Sequence, residues 1–336
     1  MAKILVTGAA GFIGYHLCDR LLRSGTETVG VDNLNDYYSV DLKKARLAQL
    51  EGRKGFRFER IDLTDSEALA SLFRECRFNQ VFNLAAQPGV RYSLQFPMEY
   101  VRSNIVGFQN VLECCRRNEV GHLIFASSSS VYGASRRMPF SIHDVVDHPL
   151  NVYAASKKAN ELFAHSYSSL YGLPATGVRF FTVYGPWGRP DMAVYLFTDH
   201  IIAGKPIELF NNGEMERDFT YVDDIVESLT KLGERPATPN PDWDPQNPDP
   251  ATSYAPYRLY NIGNHSPEPV HKLISILEKA IGRPAIKVLA PMQPGEARAT
   301  FADIDDLARD VGFSPSTPLE VGIGRFVEWY RAYHKV

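Results

Sequence analysis

Residues 6–17 read VTGAAGFIGYHL, and the three glycines in that stretch decide the fold. They stand between an apolar run, KILVTG at 3–8, and a segment of helical periodicity from Phe12 to Arg23. Gly8 permits a tight turn, Gly11 lets backbone amides approach a pyrophosphate, and Gly14 allows the helix to pack closely on the sheet. The helix start, with Phe12 and Ile13, then favours the anion. The spacing is GxxGxxG rather than GxGxxG, so the pattern needs support from its surroundings.

That support is a repeat of strands and helices. ETVGVD (27–32), FRFERID (56–62), QVFNLAA (80–86), HLIFASS (122–128) and LPATGVRFF (173–181) read as further buried parallel strands, with helical segments such as Ser66 to Cys76 between them. This alternation implies βαβ units around a parallel sheet covered on both faces, a doubly wound Rossmann-like α/β fold. Near residue 180 the rhythm changes. Short strands (207–210, 258–263) mix with helices near 192–203, 222–232 and 269–281. The predicted organisation is a dinucleotide-binding domain over 1–180, to which segments such as about 214–232 return, and a smaller discontinuous substrate lobe over 181–336. Seven prolines within 235–256 exclude helix and ladder there. That segment reads as an exposed extended loop, with a lid or partner segment as the alternative.

Composition narrows the function. Lys and Arg total 36 against 39 Asp and Glu, a net charge of −3, which argues against nucleic acid or an anionic membrane as partner. Cys18, Cys76, Cys114 and Cys115 show neither a CxxC pair nor metal-ligand spacing, so they read as reduced thiols of a cytoplasmic protein without a metal. No stretch reaches the ~20 apolar residues of a membrane span, and the N-terminal apolar run is too brief for a signal-peptide core.

Within the first domain, Asp32 ends the second strand, where a carboxylate accepts from both ribose hydroxyls and repels a 2′-phosphate. The cofactor is therefore NAD rather than NADP, with Asn33 beside it. Asp62 and Leu63 follow the third strand at the adenine side. Leu84, Ala85 and Ala86 follow the fourth, where small side chains let a dinucleotide pass. Tyr153 and Lys157 form YAASK at 153–157; at i and i+4 they share one helix face. A phenol with a pKa of about 10 is a poor base at neutral pH. A neighbouring Lys⁺ and a positive nicotinamide ring would bring it into range. Ser128, at the end of the fifth strand, can hydrogen-bond the same substrate oxygen. Together these groups suit oxidation of a secondary alcohol.

TGAAGFIG, SSSSVYG, YAASK and RDFTYVDD (217–224) resemble the extended short-chain dehydrogenase/reductase family, the nucleotide-sugar epimerases and dehydratases, over nearly the whole chain. The resemblance implies a retained NAD contacted also by Ser127 and Phe180, and Asn104 near the nicotinamide and substrate. It further implies Arg217 at the diphosphate of a UDP-sugar, and a homodimer formed by helices near 100–117 and 153–171. The apolar faces of those helices (Ile105, Phe108, Val111, Leu112; Leu162, Phe163, Tyr167, Leu170) serve equally well as internal core.

ASSSSVYG at 126–133 is informative for what it lacks. The related 4,6-dehydratases carry an Asp–Glu pair just after the catalytic hydroxyl, and related decarboxylases a glutamate in this stretch. Here Ser129 and Ser130 stand in their place, and a hydroxyl does not readily act as that acid or base. The site is equipped for hydride and proton transfer at one carbon, which is epimerisation. RFFTVYGPWGRPDMA (179–193) and AAQPGVRYS (85–93) resemble the UDP-glucuronate 4-epimerases. On that reading Thr182, Arg189 and Ser128–Ser130 bind the sugar carboxylate, with Pro88 and Arg91 in the facing loop. Glu296 stands where many relatives have aspartate near the diphosphate. A UDP-glucose/UDP-galactose 4-epimerase is the alternative; a UDP-glucuronate decarboxylase or a non-catalytic NAD-binding protein fits less well.

Overall fold

The computed structural model describes residues 3–336, and its apolar runs become a seven-stranded sheet. β1 (Lys3–Thr7), β2 (Glu27–Val31), β3 (Phe56–Glu59), β4 (Gln80–Asn83), β5 (His122–Ser128) and β6 (Ala175–Phe180) come from the first half of the chain. The smaller elements follow: β7 (Thr182–Tyr184), β8 (Pro206–Leu209), β9 (Glu216–Tyr221), β10 (Tyr257–Ile262), β11 (Pro267–Pro269) and β12 (Ile286–Leu289). The order across the large sheet is β10-β6-β5-β4-β1-β2-β3, with every pairing parallel. Helices cover both faces, so the inner strands are buried throughout; all seven residues of β5 are. The order reverses between β1 and β4, and the crevice beyond the carboxyl ends of these strands is where such sheets bind ligands.

One strand lies elsewhere than the sequence reading places it. Residues 258–263 were expected in the smaller lobe. Tyr257–Ile262 instead extends the large sheet, in register with β6 from Tyr257↔Ala175 to Ile262↔Phe180. Leu259 and Ile262 are buried there. A six-residue apolar run satisfies either sheet equally, and only the long return of the chain decides between them. The smaller lobe holds two short sheets, β11-β9-β7 and β12-β8. The helix Val222–Gly233 packs on the first helix, Phe12–Arg23, where Arg20 and Glu227 pair.

The proline-rich segment forms neither helix nor strand, and it is pinned to the surface of the fold. Ala251 and Ser253 are buried, Ser253 Oγ bonds His165 Nε2 (2.8 Å), and Asp249 bonds His143 Nδ1 (2.9 Å). None of its residues lines the cleft. Phe108, Val111 and Leu112 are internal core, whereas Leu162 and Leu170 stand exposed on the helix Val152–Tyr171. All four cysteines are buried and unpaired. No helix among the described residues is long and apolar enough to cross a membrane.

Candidate active site

One cleft of about 1230 Å³ runs from the glycine turn to the smaller lobe, beyond the ~300–1,000 Å³ of a single small-ligand site. At one end the turn after β1 is docked on β2 by Gly8 N–H and Ala9 N–H donating to Val31 O (2.7 and 3.1 Å). Gly8 has φ +73°, and a Cβ on it would lie 2.9 Å from Ala85 N. A Cβ on Gly14 would collide with the Gly8 carbonyl. The helix that follows has no side-chain cap, so its first amides remain available to an anion. Asp32 accepts from Leu34 N–H (2.8 Å) and Ala10 N–H (3.2 Å). Burial pushes its carboxyl up, with the Lys43 charge pulling back. Asp62 accepts from Asn33 Nδ2 (2.8 Å) and Thr64 Oγ1 (2.7 Å). Burial raises that carboxyl, and these hydrogen bonds more than reverse the effect. An uncapped helix start, a turn with no room for Cβ and an acid at the end of β2 fit a dinucleotide.

In mid-cleft, β5 ends at Ser128 and the helix Val152–Tyr171 begins. Asn151 caps this helix by accepting from Ala154 N–H (2.8 Å), which fixes the first turn and with it Tyr153. Tyr153, Lys157 and Glu161 follow at i, i+4 and i+8 on one face. Glu161 is buried, accepting from Ser127 Oγ (2.6 Å) and from Arg179 Nε and Nη2 (2.8 and 2.9 Å). Lys157 is buried without an ion-pair partner among the described residues. Burial lowers its ammonium to about 8, and Glu161 raises it in part. Burial raises the Tyr153 phenol, while a hydrogen bond from Ser128 and the Arg189 charge lower it. An ammonium at about 8 keeps its charge at neutral pH, so Lys157 stands as a cation one helical turn from Tyr153. A further positive charge at the phenol is what brings it into working range.

Toward the smaller lobe, Arg189 meets Asp191 in a bidentate pair (3.1 and 2.5 Å), and Tyr37 OH donates to Asp191 Oδ2 (3.0 Å). Burial raises the Asp191 carboxyl, but Arg189 and Tyr37 overcome this and hold it low. It stands as a carboxylate, not as an acid. Further out, Glu296 joins Arg91 Nε (2.8 Å) and Arg217 Nη2 (3.8 Å). Arg91 also lies 4.2 Å over the Phe210 ring. Arg91 thus shares Glu296 with Arg217, the residue expected at the diphosphate.

Every site residue proposed from the sequence lines this cleft except Asn104. Asn104 is buried in a one-turn π-helix, Val101–Val106. Its Oδ1 accepts from Gln87 N–H (2.7 Å), and its Nδ2 donates to Gln87 O (3.1 Å) and Ser156 Oγ (2.9 Å). These bonds tie the wall behind the site together. The Ser127 hydroxyl is likewise committed to Glu161, which leaves Ser128 to face Tyr153. Sequence reading missed Asn35, Tyr37, Lys43, Glu161 and Asp191. Glu161 was the most accessible of these, since it repeats the YxxxK spacing once more.

Comparison with known proteins agrees with this geometry. The model of the NAD dependent epimerase/dehydratase family matches residues 4–263. Protein CapI of Staphylococcus aureus is 52% identical over 333 residues, covering 99% of each chain. The probable UDP-glucuronate 4-epimerase of Rhizobium meliloti is 45% identical over 98% of this chain and 96% of its own. A crystal structure of UDP-glucuronic acid 4-epimerase from Bacillus cereus, in complex with UDP-glucuronic acid and NAD, superposes with a TM-score of 0.88 at 33% identity, covering 98% of this chain and 99% of that one. With the match spanning the sheet, the glycine turn and the Tyr153–Lys157 helix, the chain belongs to the NAD dependent epimerase/dehydratase family.

Proposed function

We propose that this enzyme interconverts UDP-glucuronate and UDP-galacturonate through a 4-keto intermediate. The observation that carries the reading is the rim beside Tyr153. Ser128, Ser129, Ser130 and Thr182 offer hydroxyls, and two acids close by are committed as carboxylates, Asp191 to Arg189 and Glu161 to Arg179. Elimination and decarboxylation chemistries that need an additional acid have none here. The relatives named for UDP-glucuronate 4-epimerisation support the choice of sugar.

Tyr153, as phenolate, removes the O4 proton of the sugar while Ser128 donates a hydrogen bond to the same oxygen. The glycine turn, Asp32 and Lys157 would hold NAD, which would supply the exchange of hydride at C4. Arg217 and Arg91 hold the diphosphate while the keto sugar presents its other face. Tyr153 returns the proton, and C4 is inverted. Thr182, the serine rim and Arg189 hold the C6 carboxylate so that its C–C bond stays out of line with the new carbonyl π system.

The working unit is a homodimer. Leu162 and Leu170 are 59% and 70% exposed on the helix Val152–Tyr171, with Val101 and Val106 exposed on the neighbouring helical segment. A second copy would cover this apolar face. Light scattering should give twice the chain mass, and Leu162→Glu should give the monomer.

The test of the activity is incubation of purified protein with UDP-glucuronate, without added NAD, and chromatography of the products. UDP-galacturonate without CO₂ or accumulated NADH supports both the reaction and a retained cofactor. A UDP-pentose moves the enzyme to the decarboxylating branch, and turnover of UDP-glucose alone refutes the carboxylate site.

A further inference from the structure

Arg46 is fully buried and has no carboxylate within ion-pairing distance among the described residues. A guanidinium stays charged in such a place, and burying an unpaired charge is costly unless its hydrogen bonds are complete. Here they are. Nε and Nη2 donate to Trp187 O (3.1 and 2.7 Å), and Nη2 also to Gly188 O (3.1 Å). Nη1 donates to Ala10 O (2.9 Å) and Tyr38 OH (2.7 Å). His16, on the first helix, donates from Nε2 to Pro186 O (2.8 Å). Two side chains from the dinucleotide domain thus hold three consecutive carbonyls, Pro186 to Gly188, of the loop that leads to Arg189.

That loop needs holding. Trp187 has φ +61°, a left-handed conformation that a bulky residue adopts only when its surroundings over-determine it. Arg46 takes the Trp187 carbonyl with two N–H groups, at the point of strain. Neither Arg46 nor His16 lines the cleft, so neither touches a ligand. Arg189 is one residue beyond the held carbonyls, and its direction into the cleft follows from theirs.

We propose that Arg46 and His16 are positioning residues that clamp the strained Pro186–Gly188 turn and thereby aim Arg189 at the sugar carboxylate. The clamp makes specificity for an acidic sugar depend on residues outside the cleft. It also ties the substrate loop to the glycine turn through Ala10 and to the ribose-side loop through Tyr38. The inference rests on the reading of Arg189 as a carboxylate ligand.

The test is calorimetric binding of UDP-glucuronate and of UDP to the NAD-loaded protein, in wild type, Arg46→Lys, Arg189→Met and the double variant, with NAD content measured after acid release. Lysine keeps the charge and loses the five-donor fork. Arg46→Lys should retain NAD and bind UDP normally, yet bind UDP-glucuronate about tenfold more weakly, on the scale of one lost hydrogen bond. In the Arg189→Met background it should add nothing, because both substitutions remove the same contact. Equal weakening of both ligands, an additive double variant, or no weakening overturns the clamp. Unchanged UDP-glucuronate binding in Arg189→Met refutes the carboxylate reading, and the inference falls with it. A weakened Arg189→Met beside an unaffected Arg46→Lys refutes the clamp alone. Should Arg46→Lys fail to fold, His16→Phe removes the Pro186 bond and His16→Gln restores a donor. Selective loss in the first and recovery in the second support the clamp; equal behaviour of the two overturns it.

Discussion

Replacing Glu161 with glutamine should destabilise the fold and also move the alkaline limb of the activity profile. Glu161 and Arg179 form a buried bidentate pair, and Arg179 Nη1 already lacks a partner. Neutralising the carboxylate leaves a buried guanidinium without its counter-charge, an error of about 3–5 kcal/mol. For a chain of this size that corresponds to a fall in Tm of about 4–7 °C. The catalytic effect has a separate sign. Lys157 already sits at about 8 because of burial, and Glu161 is the group that holds it up. Without Glu161 the lysine loses its proton at lower pH, so the decline in rate begins at lower pH. Differential scanning fluorimetry measures the first effect and a kcat/KM profile from pH 6 to 10 the second. Glu161→Gln/Arg179→Met should recover much of the stability, since an apolar pair replaces the ionic one, but not the pH limb. A Tm within about 1 °C of the parent, under ~1 kcal/mol, would refute the energetic argument. An unmoved alkaline limb would refute the role given to Glu161 beneath Lys157.

Tyr153→Phe should lower kcat by about 10²–10⁴-fold, the range of a lost acid–base group, while NAD and UDP-glucuronate still bind. An activity near that of wild type assigns the base elsewhere. Thr182→Ala should release some UDP-4-keto-pentose, visible by mass spectrometry, because the sugar carboxylate loses a restraint; clean epimerisation would show that Thr182 does not hold it. His143 lies between Asp249 and Asp306 (2.9 and 3.0 Å). Burial lowers its pKa, but bonds to the two carboxylates outweigh this and leave it raised above 6.5. The protonated form is therefore favoured in the fold. Its contribution is complete below pH 6.5 and disappears as pH rises through the raised value. Tm should fall between about pH 6 and 8 more steeply in wild type than in His143→Gln, and identical slopes would refute this.

Much of the fold was legible because parallel strands and their helices carry strong local patterns. The six strands of the first half and the helix Phe12–Arg23 follow from apolar runs and glycine chemistry that act over a few residues. The placement of Tyr257–Ile262 was not legible, since pairing with Ala175–Phe180 is decided across some eighty intervening residues. The site divides in the same way. Residues in turns that must accommodate a cofactor, such as Gly8, Gly14 and Asp32, declare themselves by type and spacing. Arg91 did not, because its partners Glu296 and Phe210 come from distant segments. Nor could the sequence show that both amide hydrogens and the carbonyl of Asn104 are taken by Gln87 and Ser156. Residue type shows what a side chain can bond, and the fold alone determines which partner reaches it first.

The hydroxyl rim has a meaning beyond the missing acid. A 4-keto uronate is a β-keto acid, and as it loses CO₂ its negative charge moves from the carboxylate toward O4. Only interactions that are stronger in that transition state than before it would hasten the loss. A cation on the carboxylate acts the other way, because it stabilises the charge where it starts. Arg189, with one edge on Asp191 and its charge felt at Tyr153, is placed to exert that restraint. On the proposed reading, the serines and Thr182 would add hydrogen bonds that fix orientation without offering a proton to the leaving fragment. On that reading the cleft would protect its intermediate by what it binds tightly in the ground state, and the strained loop that presents Arg189 would be part of that protection.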